Sequence, residues 1–143
     1  MGSGVKTHQE HVTIEARGPG LHDVTVQVAR VVKASGVQTG MCNVFLQHTS
    51  ASLVVQENAD PAVRRDLQRF LSRIAPESAD YEHDTEGPDD MPAHIRTALT
   101  KTSENVPVAG GELALGTWQA VYLWEHRRAA HGRTLVVTVW GAA

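Results

Sequence analysis

The sequence predicts a single α+β domain, mostly antiparallel sheet with about three helices. Three observations support this. Several short segments alternate apolar and polar residues with the two-residue period of a half-buried strand. Two proline-led segments and one capped segment carry apolar residues at helical spacing. Strands and helices follow one another without strict βαβ alternation, which argues against a parallel doubly wound sheet.

Val12 and Ile14 alternate with Thr13 and Glu15, and Gly18-Pro19-Gly20 then breaks the chain. Asp23 is suited to cap a helix over about 24–34, with Val24, Val28, Val31 and Val32 on one face and Gly36 at its C-terminal turn. Residues 44–47 and 51–55 read as strands, with His48-Thr49-Ser50 between or within them. Asp60-Pro61 starts a second helix, since a capping carboxylate precedes proline at the first helical position. Val63, Leu67, Phe70, Leu71 and Ile74 form its apolar stripe, and Pro76 ends it. Met91-Pro92 opens a short third helix bearing His94, Ile95 and Leu99, with Asp90 near its start. The remainder predicts strands over 106–108, 113–115, 118–124 and 135–140, with Gly110-Gly111 as a turn. The domain is expected to run from residue 5 to 143, and Met1–Gly4 (Met-Gly-Ser-Gly) reads as a vector-derived remnant.

Composition narrows the function. The 143 residues carry a formal charge of −3 and no Lys/Arg stripe, which argues against nucleic-acid binding through phosphate neutralisation. No apolar run approaches the ~20 residues of a membrane span, so no membrane partner is expected. The single cysteine, Cys42, lies in the apolar run Met41–Leu46 and reads as a small buried hydrophobe. One cysteine excludes a disulfide framework within the chain, and a reducing, cytoplasmic location is compatible. The eight histidines are the compositional oddity, because imidazole is both the commonest metal ligand and an acid–base group near neutral pH.

The densest chemical cluster is the loop His83-Asp84-Thr85-Glu86-Gly87-Pro88-Asp89-Asp90, with His94 four residues beyond Asp90. If helical geometry begins by Asp90, the two side chains share one face. The competing reading is a solvated acidic loop with a helix cap. His48 stands at a strand end, where the strand fixes its backbone, although a hydrogen-bonded core histidine is the plainer reading. Thr49 and Ser50 follow it. Asp60 is explained by capping, which leaves Glu57 and Asn58 as the better functional candidates there. Gln119, Val121, Leu123 and Glu125 share one strand face, with Tyr122 and Trp124 on the other. Arg127 and Arg128 follow as phosphate-binding candidates, or as a solvated hairpin tip. The chain has no Gly-x-Ser-x-Gly elbow, His-Glu-x-x-His, phosphate-binding glycine loop or Cys-x-x-Cys.

Five segments stand in order: Gln47-His48-Thr49-Ser50-Ala51-Ser52-Leu53, Glu57-Asn58-Ala59-Asp60-Pro61, Tyr81-Glu82-His83-Asp84, Glu86-Gly87-Pro88-Asp89-Asp90-Met91-Pro92-Ala93-His94-Ile95 and Gly116-Thr117-Trp118-Gln119. Together they resemble the YjbQ family, also called the secondary thiamine-phosphate synthase enzyme family, from about Val12 to Gly141. Pro88 departs from the small residue more usual in that loop. The resemblance implies a compact α+β subunit in a homotrimer, with a polar metal site at His48, His83 and His94 near subunit contacts. It also implies a weak thiamine-phosphate synthase activity, which joins a pyrimidine diphosphate to a thiazole phosphate and releases pyrophosphate.

Three imidazoles suit Zn, Ni, Fe or Mn, whereas Mg for diphosphate chemistry would rely on Glu57, Glu86, Asp89 and Asp90. The catalytic expectation is His48, Glu57, Asp90 and His94. Thr49, Ser50, Asn58, Gln119, Glu125 and Arg127 are expected to bind a small phosphorylated substrate. Three readings remain open: a metal-assisted transferase; a metal-dependent hydrolase with Glu57 or Asp90 as general base; and a metal- or ligand-binding module without turnover.

Overall fold

The structure, a computed structural model, describes residues 4–78 and 80–143. The reading of Met1–Gly4 as a remnant therefore falls, apart from Gly4, outside the described residues. Eleven elements follow in chain order: β1 (Val5–Ala16), β2 (Gly20–Asp23), α1 (Thr25–Ser35), β3 (Thr39–Leu46), β4 (Ala51–Glu57), α2 (Pro61–Ile74), α3 (Asp90–Leu99), β5 (Ser103–Ala109), β6 (Glu112–Leu113), β7 (Gln119–Glu125) and β8 (His131–Ala142). All strand pairings are antiparallel, in a five-stranded sheet of order β1-β8-β3-β5-β6 and a three-stranded sheet of order β2-β7-β4. The predicted α+β class with three helices is the observed one.

The core lies between the two sheets and α1. Cys42, Val44 and Leu46 of β3 and Leu135, Val137 and Val139 of β8 point inward at the two-residue period. They meet Ala51 and Leu53 of β4, Val121 and Leu123 of β7, and the valine face of α1. That face is Val28, Val31 and Val32, with Val24 just ahead of the helix, all buried as their spacing predicts. Asp23 accepts a hydrogen bond from the Thr25 N–H at 2.9 Å, and Gly36 ends the helix at φ 71°, where only glycine is unstrained.

α2 starts as predicted, with the Asp60 carboxylate accepting from the Ala62 N–H at 2.9 Å and Pro61 at the first position. Its stripe is buried less than its pattern implies. Leu71 is buried, but Phe70 and Ile74 stay about half exposed. The helix covers the outer face of β7 through polar tips: Trp124 Nε1 donates to Gln68 Oε1 at 2.7 Å, and Arg64 donates to the Tyr122 hydroxyl at 3.0 Å. Both faces of β7 are therefore covered, and Tyr122 and Trp124 are core residues rather than surface aromatics. The outer face of the five-stranded sheet carries the cross-strand pairs Met41–Trp140 and Phe45–Val136, with Phe45 and Trp140 exposed.

Two strands escape the sequence pattern. β2 is four residues long, too short to show a period. β1 extends seven residues further toward the N-terminus than the Val12–Ile14 alternation indicates. That extension, an edge strand, is polar at every position from Lys6 to His11 and is held by its ladder to β8.

Candidate functional site

α3 begins at Asp90, which places His94 one turn on and on the same face. Asp90 Oδ2 lies 3.1 Å from His94 Nε2 and 2.7 Å from His83 Nε2, the latter delivered by the loop before the helix. One ligand atom from each of the three groups lies within 4.8 Å of the others. The Asp90 side chain is only 4 % exposed, while those of His83 and His94 are 40 % and 32 % exposed, so the imidazoles form the solvent side of the site.

The surrounding bonds fix this arrangement. Arg127 donates from Nη1 to Asp90 Oδ1 at 2.7 Å, from Nε to Asp89 Oδ2 at 3.0 Å and from Nη2 to the Glu86 carbonyl at 3.0 Å. Asp89 also accepts from the Arg128 N–H at 2.9 Å. Burial alone would raise the pKa values of Asp89 and Asp90. The Arg128 amide and Arg127 outweigh it at Asp89, and the His83 hydrogen bond with the His94 and Arg127 charges outweigh it at Asp90, so both carboxyls are held below the ordinary range. The Asp90 hydrogen bond raises the His83 pKa against burial, with the charges of Asp90, Glu86 and Asp84 adding to it.

His94 Nδ1 sits 2.9 Å from the Thr49 carbonyl oxygen, which can only accept. Nδ1 therefore carries hydrogen, and in the neutral ring Nε2 is the lone-pair nitrogen. That lone pair faces the Asp90 carboxylate. Two electron-rich groups at this distance call for a cation between them, whether a proton or a metal ion. A backbone carbonyl that orients the far nitrogen is also the usual support for a ligating histidine.

The expected trio His48, His83 and His94 does not assemble as such within one chain. Asp90 takes the third place beside His83 and His94. His48 lies next to Thr49, yet its Nε2 accepts the Thr134 backbone N–H at 3.0 Å, so its free nitrogen is Nδ1–H. Burial and the Arg133 charge lower its pKa, favouring this neutral form. Ser50 is buried, and its carbonyl accepts from Arg133 Nη2 at 3.2 Å. Glu125, expected to bind substrate, is fully buried and ion-paired with Arg133, and Oε2 also accepts the N–H groups of His126 and Arg127, each at 3.0 Å. Its oxygens are thus occupied within the protein. Arg127, expected on a substrate phosphate, instead organises Asp89 and Asp90.

Glu57, Asn58 and Gln119 are corrections of position. β4 and β7 pair so that Ala51 opposes Glu125 and Glu57 opposes Gln119. The latter group therefore sits at the opposite end of the strand pair from Ala51 and Glu125, roughly 20 Å away along six residues at about 3.3 Å each, while His94 contacts Thr49 beside Ala51. Glu57 Oε2 accepts from the Ala59 and Asp60 N–H groups at 3.0 and 2.8 Å, Asn58 Nδ2 donates to the Gln119 carbonyl at 3.4 Å, and Gln119 Oε1 accepts the Gly116 N–H at 2.8 Å. These bonds build the β4–α2 corner, and within one chain Glu57 is no general base for the histidine site.

Sequence reasoning left out Arg133 and the pairing role of Asp89. Arg133 had a signal: it falls on the inward period of Leu135, Val137 and Val139, where a charge needs a buried partner. The role of Asp89 had none, because its partners Arg127 and Arg128 are remote in sequence.

A cavity of about 350 Å³ opens beside His83, lined also by Glu77, Asp80, Tyr81, Asp84, Gly87, Pro88 and Met91. Its walls are acidic. Among the described residues no helix is long and apolar enough to cross a membrane.

Comparison with known proteins agrees with this architecture. Residues 10–142 match the family model described as UPF0047 protein YjbQ-like. A UPF0047 protein of Synechocystis sp. is 54 % identical over 137 residues, spanning 95 % of this chain and 93 % of the relative. The UPF0047 protein YjbQ of Escherichia coli O157:H7 is 42 % identical over 135 residues, spanning 94 % and 98 %. Among solved structures, a YbjQ-like protein of unknown function from Sulfolobus solfataricus P2 superposes with a TM-score of 0.88 at 26 % identity, covering 96 % of this chain and 99 % of that one. A yjbq/upf0047 family protein from Clostridium acetobutylicum superposes at 0.84 with 34 % identity, covering 91 % and 98 %. With the family model spanning nearly the whole chain and the fold matching solved members, this protein belongs to the YjbQ-like UPF0047 family.

Proposed function

We propose that the protein is a divalent-metal-dependent enzyme acting on a small phosphorylated substrate, with the ion held by His83, Asp90 and His94. The observation that carries this reading is the His94 ring: its Nδ1–H is committed to the Thr49 carbonyl while Nε2 meets a buried carboxylate, with a second imidazole alongside. Two imidazoles and one carboxylate suit Zn, Mn or Ni better than Mg, which prefers an all-oxygen shell. When bound, the ion supplies charge neutralisation and Lewis-acid polarisation at a phosphoryl oxygen. The acidic wall of Asp80 and Asp84 would otherwise repel a phosphate at this entrance.

The chain's own groups have separate tasks. Arg127 holds Asp90 Oδ1, leaving Oδ2 toward the histidines. Asp89 locks Arg127 in place. His48, with Nε2 engaged by the backbone, presents Nδ1–H as a hydrogen-bond donor for a substrate oxygen. The family resemblance points to thiamine-phosphate formation from a pyrimidine diphosphate and a thiazole phosphate. Self-association as a homotrimer through the uncovered face of the five-stranded sheet, where Phe45 and Trp140 are exposed, belongs to the same reading.

The test is metal analysis of wild type and His94→Ala, followed by a discontinuous assay for thiamine phosphate with protein from a host lacking its own synthase. One bound divalent ion and slow product formation are expected for wild type, with turnover lowered by on the order of a hundredfold in the variant. Cleavage of one phosphoester alone would replace the transferase with a hydrolase. Absence of metal at neutral pH would remove the metal reading.

A further inference from the structure

On the other side of the segment that delivers Arg127 lies a second cavity, of about 290 Å³, lined by Pro19, Gln68, Ser72, Pro76, Glu77, Arg96, His126 and Arg128. Arg127 turns toward Asp89 and Asp90, whereas its neighbours His126 and Arg128 border this cavity. Among the described residues, two of its groups each have a nitrogen without a hydrogen-bond partner. Arg96 is only 6 % exposed, yet among the described residues no carboxylate lies within ion-pair distance of it. Its Nε and Nη2 donate to the Ala75 carbonyl at 3.3 and 2.9 Å, at the C-terminal end of α2, and among the described residues Nη1 has no hydrogen-bond partner. The helix terminus offsets part of the charge and not the whole of it. His126 is 2 % exposed, and among the described residues its Nδ1 has no hydrogen-bond partner.

A buried cation whose carboxylate, Asp89, acts on it only from beyond ion-pair distance and a buried ring nitrogen without a partner are each costly, and they border one cavity. Arg128 adds a second guanidinium, already paired with the Glu77 carboxylate. The lining therefore carries two arginines against one glutamate, a net charge of +1 with His126 neutral. Burial and the Arg96 and Arg133 charges push the His126 pKa down to about 3, so the ring stays neutral across the physiological range. Its Nε2 lies 2.9 Å from the buried Ser52 hydroxyl. When that hydroxyl donates to Nε2, the ring presents Nδ1–H as a donor.

We infer that this cavity is an anion site for a phosphoryl group, held by Arg96 Nη1, His126 Nδ1–H and, at its mouth, the Arg128 guanidinium. Donors from three side chains suit the several outer oxygens of a tetrahedral phosphoryl group better than the two oxygens of a carboxylate. This inference does not depend on the metal reading, because none of its three donors belongs to the His83–Asp90–His94 group.

The test is calorimetric titration of chelator-treated full-length protein with inorganic phosphate at fixed ionic strength, with acetate as the parallel arm. Wild type should bind phosphate in the millimolar range or tighter, and acetate at least about tenfold more weakly. Glu77→Gln removes the competing carboxylate and should tighten phosphate binding several-fold. Arg128→Gln should weaken it by about tenfold. Arg96→Gln should abolish it. Should that variant fail to fold for want of the Ala75 bonds, the two mouth variants still decide the matter. His94→Ala should bind phosphate as wild type does, which separates this site from the metal reading. The ring-nitrogen NMR signals of His126 should report Nδ1–H and shift on addition of phosphate. No heat from millimolar phosphate, equal binding of acetate, indifference to Glu77→Gln and Arg128→Gln, or an unmoved His126 ring would each overturn the assignment.

Discussion

Asp90→Asn removes one negative charge from the point where two histidines and an arginine converge, while hardly changing side-chain volume. The asparagine keeps one acceptor oxygen, which Arg127 Nη1 can hold as it holds Oδ1 at 2.7 Å, and turns its NH2 toward the histidines. Arg127 is not orphaned, because Asp89 Oδ2 and the Glu86 carbonyl stay at 3.0 Å each. The ~3–5 kcal/mol cost of an uncompensated buried charge therefore does not apply. What is lost is the charge assistance of a nearly buried hydrogen bond, worth about 1.5–3 kcal/mol, together with weak pairing to two partly exposed histidines. A net loss of about 2 kcal/mol is expected, or a fall of roughly 1 M in the urea midpoint, measured in chelator so that metal plays no part.

The loss should depend on pH. The Asp90 pKa is held below its unfolded value of ~3.9, so its contribution is in place above that pH and disappears as pH falls through the folded-state pKa. The His83 pKa is raised above ~6.5, so its contribution is in place below that value and disappears as pH rises through its folded-state pKa. The difference between wild type and variant should therefore be greatest between about pH 4 and 6.5. Equal midpoints near pH 5, or a difference that does not shrink in stronger acid, would refute the electrostatic account of the site.

Three further outcomes follow from the fold. Glu125→Gln leaves the buried Arg133 guanidinium without its counter-charge, and chemical denaturation should show a loss of about 3–5 kcal/mol. Cys42 is fully buried, which pushes its thiol pKa up to about 11, so a thiol reagent near neutral pH should label it only at the rate of unfolding. A methyl group on Gly40 would overlap the Trp140 carbonyl and lie 2.7 Å from Gly141 Cα across the β3–β8 ladder, so Gly40→Ala should cost about 1–3 kcal/mol or more in thermal or urea unfolding.

The legible parts of this molecule are those whose cause is local. Asp60-Pro61 places the start of α2 because the cap and the first helical residue are chemical neighbours. The Asp90–His94 contact is readable for the same reason, once helical geometry is known to include Asp90. α1 is readable from the valine spacing, and Gly36 from the left-handed backbone its turn needs. The first half of β1 is not readable, because an edge strand can be held by its ladder while its side chains stay polar. Even its inward positions are polar there: His8 Nε2 bonds Glu10 Oε2 at 2.7 Å.

The candidate site shows the same division more sharply. His48, Glu57 and Gln119 all lie at strand ends, and sequence order does not say which strand ends meet. The antiparallel register of β4 and β7 decides it, sending Glu57 and Gln119 to one end and Ser50 and Glu125 to the other. The same register explains why the most polar residue near the site, Glu125, is a poor candidate for contact with substrate. It lies on the inward face with Val121 and Leu123, where a carboxylate persists only if its oxygens are fully engaged, and Arg133 on the inward face of β8 engages them. The buried Glu125–Arg133 pair ties the end of β7 to β8, and the two backbone amides on Glu125 Oε2 fix the first residues of the 126–128 segment. Arg127 reaches Asp89 and Asp90 from that segment, while His126 and Arg128 face the second cavity. A single buried ion pair thus sets the backbone that serves both polar sites, which is why Glu125→Gln should disturb phosphate binding and the His83–Asp90–His94 cluster together, whereas Arg128→Gln and His94→Ala should each affect only one.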